Sequence, residues 1–196
     1  MYVVTVAQRD PISDLTIASA CRGDAGAQLR LIQQTQQAVY ALCVALSGNE
    51  AEDLTQETYM RAFAALPRFV VGGRASFLTW LLTIARRLCR DHARGRARRP
   101  LVLDSDADAM TTAPGPAAQL ASARAAARVR AAMLELDADK RAVIALHEWA
   151  GMDYEEIAAI EEIAVGTVRS RLARARHELR ERLPDLSGME ELQDVG

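Results

Sequence analysis

Lysine is almost missing from this chain: of 24 basic residues, only Lys140 is not an arginine. Arginine's planar fork suits phosphate and base edges, but a GC-rich genome accounts for so extreme a bias. Aromatic residues make up only 5% of the sequence while alanine and leucine abound, which favours helices and disfavours sheets. The three cysteines, Cys21, Cys43 and Cys89, are odd in number and far apart. That excludes a disulfide framework and zinc spacing, so they read as reduced thiols within apolar helical patterns. His92, His147 and His177 are scattered, and His147-Glu148 lacks the second histidine of a zinc-protease helix. No metal site is expected, and with no paired acid and base residues neither catalytic residues nor a cofactor are expected. The N-terminus has neither a basic start nor a long apolar core, and no apolar run approaches membrane-spanning length. A soluble, cytoplasmic protein without a membrane partner is predicted.

What is present is charge, and it is segregated. The net charge of −2 hides a stretch holding Arg86, Arg87, Arg90, Arg94, Arg96, Arg98 and Arg99 against Asp91 alone. A second basic stretch runs from Arg169 to Arg182, while acidic residues gather at Glu50–Glu57, Asp104–Asp108 and Glu155–Glu162. Segregation of this kind creates local fields that a near-neutral total conceals.

The punctuation predicts an all-α protein, two small helical domains joined by a flexible linker. Residues 1–14 read as a flexible tail. A short helix then precedes Gly23, and Asp24 is placed to cap a long helix reaching about Ser47. Gly48-Asn49 repeats the device: the glycine closes one helix and the asparagine opens the next, with Glu52 at the capping-box position and Pro67 as the stop. Val70 to Ser76 is a loop, followed by a helix from about Ala75 to Arg94. The first domain thus occupies residues 15–96. Residues 97–116, arginine-rich, then acidic, then rich in threonine, proline and glycine, have linker composition. The second domain, residues 117–186, contains an Ala/Arg helix to Leu136 and a helix capped by Asp137 and closed at Gly151. The residues that follow carry its chemistry, and 187–196 form a second tail.

Those residues are Asp153-Tyr-Glu-Glu-Ile-Ala-Ala-Ile160 and Val165-Gly-Thr-Val-Arg-Ser-Arg-Leu-Ala-Arg-Ala-Arg176. Asp153 with Glu156 three positions on forms a capping box. In the second segment Val165, Val168, Leu172, Ala175, Leu179 and Leu183 make one apolar stripe, and Arg169, Ser170, Ala173, Arg174 and His177 fall opposite. A basic amphipathic helix alone is often only a solvated face. Joined to a capped helix by a tight turn and begun by Val-Gly-Thr167-Val, it reads as a helix-turn-helix whose second helix enters a major groove. There arginine can take guanine O6 and N7 bidentately.

The helix from Ala75 to Arg94 repeats the principle. Phe77, Leu81, Ile84 and Leu88 form its core stripe, with Thr79, Thr83, Arg86, Arg87, Arg90 and Arg94 on the far side, an electrostatic track for a phosphate chain. Trp80, beside the core stripe, reads as packing.

With Asp53-Leu-Thr-Gln-Glu-Thr-Tyr59, Phe77-Leu-Thr-Trp-Leu-Leu-Thr-Ile-Ala85 and Val165-Gly-Thr-Val-Arg-Ser-Arg171 in order, the chain resembles the extracytoplasmic-function sigma factors, promoter-recognition subunits of bacterial RNA polymerase. The resemblance covers roughly residues 15 to 183. It implies that 15–96 is sigma domain 2 and 117–186 sigma domain 4. Asp53, Gln56 and Glu57 would dock on the clamp helices of the largest core polymerase subunit. Arg86, Arg87, Arg90, Arg94 and Phe69 would meet the minus-ten element as opened single strand, Phe69 supplying a stacking surface for an unstacked base. Thr167, Arg169, Ser170, Ala173, Arg174 and His177 would read the minus-thirty-five element as duplex. The resemblance implies core RNA polymerase and promoter DNA as partners and leaves room for an anti-sigma factor. Asp104, Asp106 and Asp108 in the tether could imitate RNA phosphates in basic polymerase channels.

Two departures stand out. Many relatives carry asparagine where Arg87 stands, so their base preference is not transferred. Relatives usually have Leu-Gly in the turn where this chain has Glu161-Glu162. A left-handed residue there costs glutamate roughly a kcal/mol, and two carboxylates near DNA repel phosphate. The competing readings are a helix-turn-helix regulator that never docks on polymerase, its first domain sensing a ligand, and an enzyme with a catalytic bundle, for which no residues speak.

Overall fold

A computed structural model describes residues 12–97 and 127–184. Residues 1–11, most of the linker with Asp104, Asp106 and Asp108, the start of the helix preceding Leu136, and the C-terminal tail lie outside them. Among the described residues there are only helices and turns. They are α1 (Asp14–Cys21), α2 (Ala25–Ser47), α3 (Ala51–Ala65), α4 (Phe77–Ala97), α5 (127–134), α6 (Ala138–Ile144), α7 (Tyr154–Glu161) and α8 (Val165–Arg182). A π-turn, Ala145–Trp149, continues α6 and ends where Ala150 N–H donates to the Ala145 carbonyl at 2.9 Å.

The predicted caps form. Asp24 Oδ1 accepts from Ala27 N–H at 2.7 Å and Asp137 Oδ1 from Lys140 N–H at 2.8 Å, each satisfying one of the orphan donors that open a helix. Asn49 behaves differently from the expectation. It lies inside a 3-10 turn, Gly48–Glu50, and Glu50 takes the N-cap position of α3 without a side-chain cap bond. The break itself is where glycine predicts it, since Gly48 adopts φ 58°, which only glycine visits freely.

α2, α3 and α4 form the body of the N-terminal domain. Leu31, Val39 and Leu42 of α2, Leu54 and Ala62 of α3, and Phe77, Leu81, Leu82 and Leu88 of α4 are buried together. One polar pair sits within this core. Thr35 donates to the Leu31 carbonyl at 2.6 Å, so its single hydroxyl proton is committed, and Tyr59 OH must donate into Thr35 Oγ1 at 2.7 Å. Burial above all pushes the Tyr59 phenol up to about 12, against the lowering effect of its bond to Thr35. Cys43 and Cys89 are also buried here, Sγ to Sγ 3.9 Å, as free thiols.

The two domains do not merely share a tether. α7 packs on α4, while α6 and the π-turn pack on α2. The buried apolar residues of both halves, from Leu31 to Ile157, Ile160 and Leu172, form one continuous cluster.

Thr35→Val should strand the buried Tyr59 hydroxyl without an acceptor and cost about 1–3 kcal/mol. Adding Tyr59→Phe should recover most of that, because removing both partners leaves no unsatisfied group. Urea denaturation of the two variants checks the order. Tyr59 titrates higher in the fold than in the unfolded chain, so its contribution is intact below pH 10 and declines towards about 12. Tyr59→Phe should flatten that alkaline loss.

Candidate nucleic-acid interface

The helix-turn-helix is built from the capping box upward. Asp153 Oδ1 accepts from Glu156 N–H at 2.7 Å, and Glu156 Oε2 accepts from Asp153 N–H at 3.2 Å. Ile157 and Ile160 of α7 pack inward. The turn to α8 needs one left-handed residue, and Glu162 supplies it at φ 60°, ψ 43°. The strain expected of a glutamate at this turn is thus present.

On α8, Val168, Leu172 and Ala175 are buried, with Val165, Leu179 and Leu183 half-buried beside them. Arg169, Ser170, Ala173, Arg174 and His177 are all exposed, and Thr167 is half-buried. The fork of Arg174 lies back along the helix, Nε donating to the Ser170 carbonyl at 3.2 Å. The Arg169 guanidinium lies 5.9 Å from the Tyr154 ring centroid, a cation–π arrangement that leaves its outer face free. His177 stands 3.4 Å from Glu181.

Three other arginines of α8, Arg171, Arg176 and Arg182, hold the domain together, a division of labour that the sequence pattern missed. Arg176 pairs with Glu148 of the π-turn at 2.7 Å, Arg182 with Glu135 at 2.8 Å, and Arg171 with Asp139 at 3.2 Å. Their positions next to the apolar stripe were the available signal, since side chains flanking a buried seam meet the neighbouring helices.

α4 departs most from expectation. Ser76, its capping residue, accepts from Thr79 N–H at 3.1 Å. Arg87 and Arg94 are exposed, as is the end of the helix near Arg96. The open track predicted for the far side is nevertheless covered near Thr79 and Arg86, both only 4% exposed. Arg86 Nε and Nη2 donate to the two carboxylate oxygens of Glu161 at 2.5 and 2.9 Å, and Nη2 also reaches Asp139 at 3.1 Å. Burial pulls the Arg86 pKa down, but the Glu161 bonds and the nearby carboxylates outweigh it and hold it above its ordinary value. Arg90 is half-buried, 3.9 Å from Glu161. Arg87 donates to Glu162 at 2.7 Å on the surface, and this bond holds the Glu162 carboxyl below its usual range. The sequence placed these arginines on one side of α4 and could not show that carboxylates of α6, α7 and the turn after α7 already meet them.

Phe69 is half-buried in a three-ring cluster, its centroid 5.0 Å from Trp80 and 5.7 Å from Phe77. Trp80 packs there too, as read from its position. On α3, Asp53 and Gln56 are exposed and Glu57 is half-exposed, paired with Arg61. These residues share a shallow surface groove with Met60 and Ala64. Met60, 65% exposed, escaped the sequence reading. An apolar residue four positions after Gln56 on a polar side was the sign that this surface is not merely solvated.

Among the described residues no cluster of histidine, cysteine and carboxylates could hold a metal ion, and no helix is long and apolar enough to cross a membrane.

Comparison with known proteins agrees with this geometry. Residues 31–99 match the family model for sigma-70 region 2, and residues 126–179 match that for sigma-70 region 4. The ECF RNA polymerase sigma factor SigC of Mycobacterium tuberculosis is 37% identical over 169 residues, covering 82% of this chain and 85% of its own. EcfG of Rhodopseudomonas palustris, another ECF sigma factor, is 40% identical over 144 residues, covering 71% and 75%. Among solved structures, the sigma factor RpoE of Bartonella quintana, crystallised with the anti-sigma factor NepR, superposes with a TM-score of 0.66 at 31% identity, covering 79% of this chain and 95% of that one. CnrH in complex with the cytosolic domain of CnrY superposes at 0.64 with 27% identity, covering 89% and 98%. A helix-turn-helix regulator acting without polymerase docking is not favoured by a chain that matches both sigma-70 regions in order. The chain belongs to the extracytoplasmic-function sigma factors, alternative sigma factors that direct promoter-specific transcription initiation.

Proposed function

We propose that α8 reads the minus-thirty-five element as duplex, that α4 and the Phe69–Ser76 loop meet the minus-ten element as opened strand, and that α3 docks on the clamp helices of core RNA polymerase. The observation that carries this reading is the exposed row Arg169, Ser170, Ala173, Arg174 and His177 on the second helix of a capped helix-turn-helix. With Val168 and Leu172 fixed in the core, this row has one orientation, outward along a groove-sized helix. Thr167, at the start of α8, lies where a helix N-terminus meets phosphate. Arg87, Arg90 and Arg94 are the α4 residues that would track the opened backbone, with Arg86 joining them once its carboxylate partners leave.

Docking through α3 rests on Asp53, Gln56 and Glu57 surrounding the exposed Met60. An apolar centre rimmed by polar groups is the composition of a protein interface, in which the rim sets register and the centre excludes water. The protein acts by binding and not by catalysis, in the cytoplasm with polymerase. An anti-sigma factor is a fitting third partner, since the RpoE and CnrH structures that superpose on this chain were solved with such proteins.

Two measurements test these assignments. Gln56→Ala with Glu57→Lys should abolish co-purification with core polymerase and leave the helical circular dichroism signal unchanged, because the altered groups lie outside the core. Undiminished co-purification would remove α3 as the docking element. Arg174→Ala should weaken binding to a promoter duplex by about 1–3 kcal/mol and relax specificity at one base if the contact is bidentate. Footprinting and anisotropy titrations at several salt concentrations would show this. Unchanged selectivity and salt slope would mean that α8 does not lie in the groove as described.

A further inference from the structure

Cys43 and Cys89 are 46 positions apart in the chain, and the fold brings them together. Cys43 lies on the buried side of α2 and Cys89 on that of α4, where the two helices pack on one another. Their sulfurs are 3.9 Å apart, both are free thiols, and their exposures are 0% and 2%. The third thiol, Cys21, stands apart from them, half-buried at the end of α1.

Two features set this pair apart from thiols that merely fill a core. The first is asymmetry. The hydrogen bond with Cys43 above all, then Ser47 and Arg86, hold the Cys89 thiol below its ordinary range, although burial opposes them. The same bond and burial push Cys43 up. Cys89 is therefore the member that ionises, and the thiolate is the nucleophilic form of cysteine. The second feature is place. Cys43 is one turn from the end of α2, where Ser47 is half-buried and Gly48 breaks the helix at φ 58°. Helix ends open locally at far less cost than a whole domain unfolds, which gives a small neutral oxidant a way in.

We propose that Cys43 and Cys89 form a modification site, a dithiol that hydroperoxides convert into an intramolecular disulfide stapling α2 to α4. The Cys89 thiolate attacks one peroxide oxygen; an S–O bond forms, the O–O bond breaks, and the departing oxygen takes a proton as water or alcohol. Cys43 then attacks the Cys89 sulfur. The S–S bond forms, the S–O bond breaks, and hydroxide leaves with the Cys43 proton as water. Two thiols are oxidised to one disulfide while the peroxide is reduced. Because the second sulfur already touches the first, the resolving step is intramolecular and outruns further oxidation of Cys89. The sulfurs must close by about 2 Å to reach bonding distance, a movement that side-chain rotation supplies. The bridge encloses all of α3 and the loop before α4. Closing so long a loop removes freedom mainly from the unfolded chain, so the staple holds the N-terminal domain folded under oxidising conditions. A reducing cytoplasm keeps it open otherwise.

The test uses the full chain treated with hydrogen peroxide, then alkylated with iodoacetamide and read by intact mass and peptide mapping without reductant. Wild type should lose one hydrogen per bridged thiol, yield a Cys43–Cys89 linked peptide and keep only Cys21 open to alkylation. Its Tm should rise by about 5–10 °C and return to the starting value with dithiothreitol. Cys21→Ala should behave as wild type. Cys43→Ala should gain no Tm and should accumulate a sulfenic acid on Cys89 that dimedone traps. Cys43→Val serves the same purpose if the alanine variant fails to fold. Full alkylation of all three cysteines after peroxide, or linkage through Cys21 alone, would overturn the site. A Cys43–Cys89 bridge that leaves Tm unchanged or lowers it would overturn the staple.

Discussion

Arg86 and Glu161 meet across the domain boundary with almost no access to water, and the arrangement of the whole molecule turns on that meeting. Removing two charges from water costs several kcal/mol per ion, which is recovered only with good geometry and satisfied residual donors. Here the guanidinium has two bonds to one carboxylate and a third to Asp139. Such a pair adds little net stability compared with an apolar contact of the same size, but leaving either member alone in that site is expensive. Apolar packing of α7 on α4 and of the π-turn on α2 supplies the area, and the ion pair supplies the register.

Arginine serves two purposes in this protein, separated by geometry alone. On α8, Arg171, Arg176 and Arg182 lie beside the buried stripe and reach Asp139, Glu148 and Glu135. Arg169 and Arg174 lie opposite the stripe and remain free of carboxylate partners within salt-bridge distance among the described residues. The same helix is thereby anchored on its inner flanks and left electropositive outside, which a lysine could match less well because it lacks the planar fork. α4 follows the same plan with one difference: its outer side is met by the acidic edge of α7. A chain of net charge −2 can thus keep one basic surface open and neutralise another with its own carboxylates.

Much of this was legible in the sequence because it depends on local rules. Helix starts at Asp24, Asp137 and Asp153 follow from a side-chain oxygen and the N–H two or three residues on, a relation fixed by a handful of neighbouring atoms. The buried stripe of α8 and its exposed opposite side follow from the helical period. The left-handed turn follows from what a helix-turn-helix must do between its helices. Asn49 failed as a cap because Gly48 turns the chain into a 3-10 segment, and that choice rests on how α2 and α3 must meet.

By itself the sequence determined the helices, their amphipathic sides, the order of the two arginine-bearing amphipathic helices and the segregation of charge. The tertiary structure alone decided which charges neutralise one another. Arg86 and Glu161 are 75 residues apart, and no periodicity relates them. Whether an arginine on the polar side of a helix faces solvent, DNA or a carboxylate depends on the placement of a second body, which is set by the packing of α2 and α4 against α6, α7 and the π-turn. Hydrophobic pattern gives each helix an inside and an outside, but the outside of one helix becomes an interior only when another domain closes over it.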